Sequence, residues 1–139
     1  MALVTVGLSV AACVWKDAVY REVLERAARA TAIQLPTDAT ASWSMDLQPG
    51  VIIERTPFGS VYVRYGAESD PVLIWQTSDY LRPIALRFMR PRVYLVVDGQ
   101  AGGLYRSTLL IEYDVDQRRR LAERRLDPAD LNALEQRTP

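Results

Sequence analysis

Apolar residues recur along this chain in two rhythms, one of about 3.6 residues and one of two. The first rhythm occupies Val14–Ile33. Trp15, Val19, Tyr20, Val23, Leu24, Ala27, Ala28 and Thr31 form a wide stripe, and Lys16, Asp17, Arg21, Glu22, Glu25, Arg26 and Arg29 take the opposite face. That spacing predicts an amphipathic helix. Glu22 with Arg26 and Glu25 with Arg29 are i, i+4 pairs in the favourable order.

The second rhythm begins further on. Gln34–Gly50, with Pro36 and the small polar run Thr37–Ser42, reads as a loop that Trp43 and Met45 could tack onto the core. Val51–Glu54 and Val61–Tyr65 flank Thr56-Pro57-Phe58-Gly59-Ser60, which predicts a hairpin. In its second arm Val61, Val63 and Tyr65 share one face, with Tyr62 and Arg64 on the other. Val72–Gln76, carrying Trp75, is a short strand. In Ser78–Pro91 two prolines argue against a long helix, while Ile84, Leu86 and Phe88 alternate with Ala85, Arg87 and Met89 and favour an edge strand.

The best-marked object is Arg92–Asp116. Two runs rich in β-branched and aromatic residues surround Asp98-Gly-Gln-Ala-Gly-Gly103, and Gly99, Gly102 and Gly103 can supply positive φ for a tight or bulged loop. Val93–Val97 is almost wholly apolar and suits a central strand. Toward the end of the second run, Ile111, Tyr113 and Val115 share a face and Glu112, Asp114 and Asp116 share the other. Gln117–Leu126, with Arg118-Arg119-Arg120 and Arg124-Arg125, reads as a helix. Asp127-Pro128-Ala129-Asp130 signals the start of another, with an N-cap, proline at the first helical position and an acid in the first turn.

These elements imply an α+β fold: an N-terminal amphipathic helix packed on an antiparallel sheet of about four to six strands, followed by short C-terminal helices. Antiparallel pairing follows because no crossover helices separate the strands. At 139 residues the chain is one domain. A chain of that length buries roughly two-thirds of its unfolded surface and needs no disulfide to hold a core.

Composition narrows the chemistry. The formal net charge is zero, so no bulk attraction to nucleic acid is expected. Histidine is absent, which removes the commonest general base and the commonest metal ligand, and neither a metal nor another cofactor is expected. The one cysteine, Cys13, rules out an intrachain disulfide. Basic residues are nearly all arginine, Lys16 being the single lysine, as a coding bias would produce.

Residues 1–13 are apolar and uncharged. A helix over residues 2 to 15 would span about 21 Å, short of a bilayer core of about 30 Å, but suited to a signal-peptide hydrophobic region. The run ends in Val10-Ala11-Ala12-Cys13, which resembles the lipobox of bacterial lipoproteins. The resemblance covers these four residues and the apolar run before them. It implies a signal peptide over residues 1–12, lipid on Cys13, a mature domain of residues 13–139 containing the loop 34–50, and a place on the periplasmic side of the cell envelope. Val14 after the cysteine resembles the outer-membrane sorting class. The alternative is that Ala2–Cys13 belongs to the core and Cys13 is a small buried hydrophobe.

Other candidate groups each have a plainer reading. Glu112, Asp114 and Asp116 could serve acid–base work or hold a hard cation, but a solvated sheet face neutralised by Arg118–Arg120 shows the same alternation. The arginine run could grip phosphate, and equally forms a solvated helix face. Ser60, Ser78 and Ser107 have no general base linked to them in sequence, with Lys16 or an acid the only types available. The glycine-rich loop lies between strands, where a dinucleotide fingerprint must open a helix. Tyr62, Tyr94 and Tyr105 could line a binding face or be ordinary strand residues. Three functions follow: an envelope lipoprotein that binds another protein as an accessory subunit, a cytosolic adaptor or inhibitor with residues 2–13 in its core, and an enzyme built on carboxylates and arginine.

Overall fold

The computed structural model describes residues 18–36, 42–66, 70–76, 81–101 and 105–136. Cys13, Lys16, Ser78, Gly102 and Gly103 lie outside the described residues. The protein is α+β. Helix α1 covers residues 18–29 and leads through Ala30 into strand β1 (Thr31–Ile33). Eight further strands follow among the described residues: β2 (Trp43–Gln48), β3 (Val51–Arg55), β4 (Val61–Tyr65), β5 (Val72–Trp75), β6 (Leu81–Met89), β7 (Arg92–Ala101), β8 (Tyr105–Asp114) and β9 (Arg119–Arg125). Helix α2 (Pro128–Gln136) comes last, with Pro128 and Asp130 in its first turn.

The strands make two antiparallel sheets where one was expected, a five-stranded sheet in the order β1-β6-β7-β8-β9 and a four-stranded sheet in the order β2-β3-β4-β5. The β7–β8 hairpin sits in the middle of the larger, in unbroken register from Arg92↔Asp114 to Ala101↔Tyr105. Val93–Val97 is continuously apolar because both of its faces are buried. Val93, Leu95 and Val97 join Leu86, Ile111, Tyr113 and Val115 against Val51, Ile53, Val61, Val63, Ile74 and Trp75 of the smaller sheet. Tyr94, Val96 and Leu110 belong to a second cluster with Val23, Ala27 and Ala30 near α1, and with Leu126, Leu131 and Leu134.

The β3–β4 hairpin forms as its turn residues require. The amide of Gly59 donates to the Thr56 carbonyl at 2.9 Å, and that of Thr56 to the Ser60 carbonyl at 3.0 Å. Gly59 takes φ of 95°, which a side chain would resist.

Three segments depart from expectation. Residues 43–48 of the loop 34–50 form β2, which pairs with β3 while Trp43, Met45 and Leu47 pack on the inter-sheet core. The stretch expected as an edge strand is β6, an interior strand at its C-terminal end. It pairs with β7 along its length and with β1 at Leu86–Phe88. A register shift between Pro83 and Ala85 absorbs the missing proline N–H and leaves Ile84 partly exposed. Gln117–Leu126 is not helical: Arg119–Arg125 forms β9, paired with β8 from Asp114↔Arg119 to Leu109↔Arg125. The Asp114 carboxylate accepts the amides of Asp116 and Gln117, both at 2.8 Å, and Arg118 takes φ of 56°. The chain therefore reverses after β8, and pairing along that strand overrides the helix propensity of the arginine-rich run. No helix among the described residues is long and apolar enough to cross a membrane.

Candidate functional site

The acidic row on β8 is the cluster that sequence offered for chemistry, and its burial is the main surprise. Glu112 and Asp114 are each only 2% exposed, so this face is not solvated. Asp116, beyond the strand end, is exposed and lies 4.0 Å from Arg90. The neutralising arginines are not Arg118–Arg120. Glu112 receives Arg26 of α1, whose Nε and Nη2 reach its two oxygens at 3.1 Å each, a fork-to-fork pair. Arg26 also bonds Glu22 at 2.8 Å, one turn earlier on the same helix. Tyr94 lies directly opposite Glu112 in the β7–β8 register. Burial pushes the Tyr94 phenol up to about 12, and the Glu112 carboxylate adds to the rise. Burial alone would pull the Arg26 guanidinium down, but Glu112 and Tyr94 outweigh it and hold Arg26 above its ordinary value. Asp114 accepts Arg92 Nη1 at 2.6 Å besides the two turn amides.

Each carboxylate is thus committed to structure. Glu112 fastens α1 to the sheet, and Asp114 shapes the β8–β9 turn. Neither lines any of the clefts beside the helices or beside β2. Among the described residues, no three of Asp, Glu, Cys or His converge as cation ligands.

The other sequence candidates are dispersed. Ser60 closes the β3–β4 turn, and the Ser107 hydroxyl lies 3.5 Å from Arg125 Nη2. Tyr62 is half-buried in the smaller sheet, while Tyr94 is buried in the larger. The arginine run is split between the β8–β9 turn and β9. Arg118 stacks over the Tyr65 ring at 4.1 Å, and Arg120 reaches the Ile74 carbonyl at 3.4 Å and Glu123 at 3.8 Å.

Three residues that sequence reasoning passed over hold the molecule together. Arg87 on β6 is 4% exposed. Its guanidinium donates to the carbonyls of Ala27 (2.8 Å), Ala28 (3.2 Å), Ala30 (3.2 Å) and Leu134 (3.3 Å). It therefore satisfies the unpaired end of α1 and ties α2 to the same point. The available signal was an arginine alternating with Leu86 and Phe88 in an otherwise apolar strand. Tyr65 joins the sheets: its hydroxyl lies 2.8 Å from that of Tyr113 and donates to the Val115 carbonyl at 2.7 Å. Burial raises both phenols, Tyr113 far above the ordinary range. Tyr20 donates to Asp130 Oδ2 at 2.6 Å, linking the start of α1 to the start of α2, and burial with that bond lifts its phenol to about 12.

Comparison of the chain with family models, with curated proteins and with solved structures finds no match.

Proposed function

We propose that this protein is an envelope lipoprotein, anchored through lipid on Cys13 on the periplasmic side, whose domain binds another protein as an accessory subunit. The observation that supports this reading best is the commitment of Glu112 and Asp114 to structural bonds with Arg26, Arg92 and the turn amides. The sequence's most promising catalytic groups are consumed by the fold, which favours recognition over chemistry. Surface features fit recognition too. Phe58 is 87% exposed at the tip of a hydrogen-bonded turn, and Leu73 is exposed on the smaller sheet. In this reading α1 covers the outer face of the larger sheet and stands next to the anchor. Residue 18 follows Cys13 by five residues, a reach of at most about 18 Å.

The test is the mass and location of the chain expressed in a Gram-negative host beside Cys13→Ala. Membrane-bound wild type, lacking residues 1–12 and carrying lipid mass, with a mutant that does neither, supports the anchor. Soluble wild type with residues 1–12 intact refutes it and leaves a cytosolic adaptor.

A further inference from the structure

Strand β9 closes one side of the five-stranded sheet and, among the described residues, is paired with β8 alone. Its outer edge has no ladder partner among the described residues, and β5 of the smaller sheet comes beside it near Arg120, whose guanidinium bonds the Ile74 carbonyl at 3.4 Å, so the edge left for a further strand is the stretch beyond Arg120. Arginine is concentrated along this edge. Residues 118–125 carry Arg118, Arg119, Arg120, Arg124 and Arg125 against the single acid Glu123, in a chain of zero formal net charge. Arg119, Glu123 and Arg125 are exposed. Arg119 Nε bonds the Gln117 amide oxygen at 2.8 Å and Arg125 the Ser107 hydroxyl at 3.5 Å, so both cations rest on neutral groups.

From this edge we infer that β9 is the docking strand for an acidic, extended segment of a protein partner, added antiparallel or parallel as a sixth strand. The inference rests on the protein-binding reading and gives it a partner class. Two requirements meet here: an open ladder, which only a polypeptide backbone can complete, and a local excess of positive charge, which selects acidic side chains on the incoming strand. A nucleic acid or an anionic lipid surface would use the charge but not the ladder. Glu123 in the middle of the row and a basic strip one strand wide suit neither.

The test uses the full chain carrying Cys13→Ala, so that lipidation plays no part and a failed anchor is not confused with a failed docking strand. The probe is an octapeptide alternating glutamate and valine. Its controls are the same peptide with lysine for glutamate, the same peptide with alternate backbone nitrogens methylated, duplex DNA, and phosphatidylglycerol vesicles. Expected are saturable binding of the acidic peptide, slowed amide exchange along β9, and loss of binding to the lysine and methylated peptides. Arg119→Glu with Arg125→Glu should weaken binding about tenfold or more. Both side chains are exposed, and an unchanged circular dichroism spectrum checks the variant's fold. Absence of binding up to millimolar peptide overturns the inference and makes the arginines a guard against edge-to-edge association. Equal binding of the methylated peptide, of DNA or of the vesicles overturns it in favour of general anion attraction.

Discussion

The two sides of the five-stranded sheet are buried by different means. Toward the smaller sheet the core is apolar, with Val93, Leu95, Val97 and Ile111 fully sequestered and tyrosine hydroxyls among the polar groups that enter at its rim. Toward the helices, alternation places all four of the buried polar or charged residues described: Arg87, Thr108, Glu112 and Asp114. The physical reason lies in where each kind of element keeps its backbone polar groups. A strand pairs them in the plane of its sheet, so two sheets meet through side chains alone. A helix leaves its last carbonyls unpaired at one end, and any surface that buries that end must supply donors. Arg87 is that supply for α1, and Arg26 with Glu112 continues the polar seam inward. Sheet-to-sheet burial here depends on volume, and helix-to-sheet burial on satisfied hydrogen bonds.

That contrast can be tested by one substitution that keeps volume and removes donors, and one that removes only volume. Arg87→Met keeps the bulk and removes the donors, leaving the carbonyls of Ala27, Ala28, Ala30 and Leu134 to be satisfied otherwise. It should cost about 3 kcal/mol or more in urea unfolding. Ile53→Val in the inter-sheet core should cost only about 1 kcal/mol. Equal losses would erase the distinction between the two sides.

The Arg26–Glu112 pair sharpens it. Arg26→Met alone should destabilise by about 2–4 kcal/mol, because the buried Glu112 carboxylate then stands without its cation, whereas Glu112→Leu should cost less, since Arg26 is partly exposed and keeps its bond to Glu22. The double variant should recover most of that loss. Additive losses in this cycle would mean that the seam is not a coupled unit.

The smallest effect is on the alkaline side. The Tyr20 phenol sits near 12 in the folded chain against an ordinary value near 10. Between those values the unfolded chain sheds its proton while the folded chain keeps it. Stability from the Tyr20–Asp130 link is thus whole below about pH 10 and is lost as pH climbs toward 12. Tyr20→Phe should flatten the fall in urea midpoint over that window. An unchanged slope would assign the alkaline loss to Tyr94 and Tyr113 on the sheet.

Sequence reading went furthest where one rhythm governs a long segment. The β7–β8 hairpin and the face shared by Ile111, Tyr113 and Val115 follow from alternation, and the β3–β4 hairpin from its Pro-Phe-Gly turn, while β7 runs on through Asp98 and Gly99, expected in the turn, to Ala101. Alternation divides a strand into two faces but is silent on what covers each. Glu112 looked solvated because Arg26, its partner, lies 86 residues away in sequence. β9 looked helical because arginine, leucine, alanine and glutamate are good helix formers, and only the open edge of β8 requires a strand there. The split into two sheets was hidden for a related reason: β2 lies within a segment whose first half is small and polar. The lipobox-like Cys13, the residue on which the proposed anchor turns, lies outside the described residues.

The junction of α1 and β1 also bears on how the domain answers force. A single residue, Ala30, separates the helix from a strand of three residues, which pairs with β6 only at Leu86, Arg87 and Phe88. A pull on the N-terminal end first meets the Tyr20–Asp130 and Arg26–Glu112 links, and once they yield it passes down α1 into this corner. Past those links, three strand pairs and the Arg87 guanidinium, gripping the carbonyls of Ala27, Ala28 and Ala30, are what the corner can oppose to it. Tension is therefore met by a small latch at the rim, which can peel while the two-sheet body behind it keeps its shape.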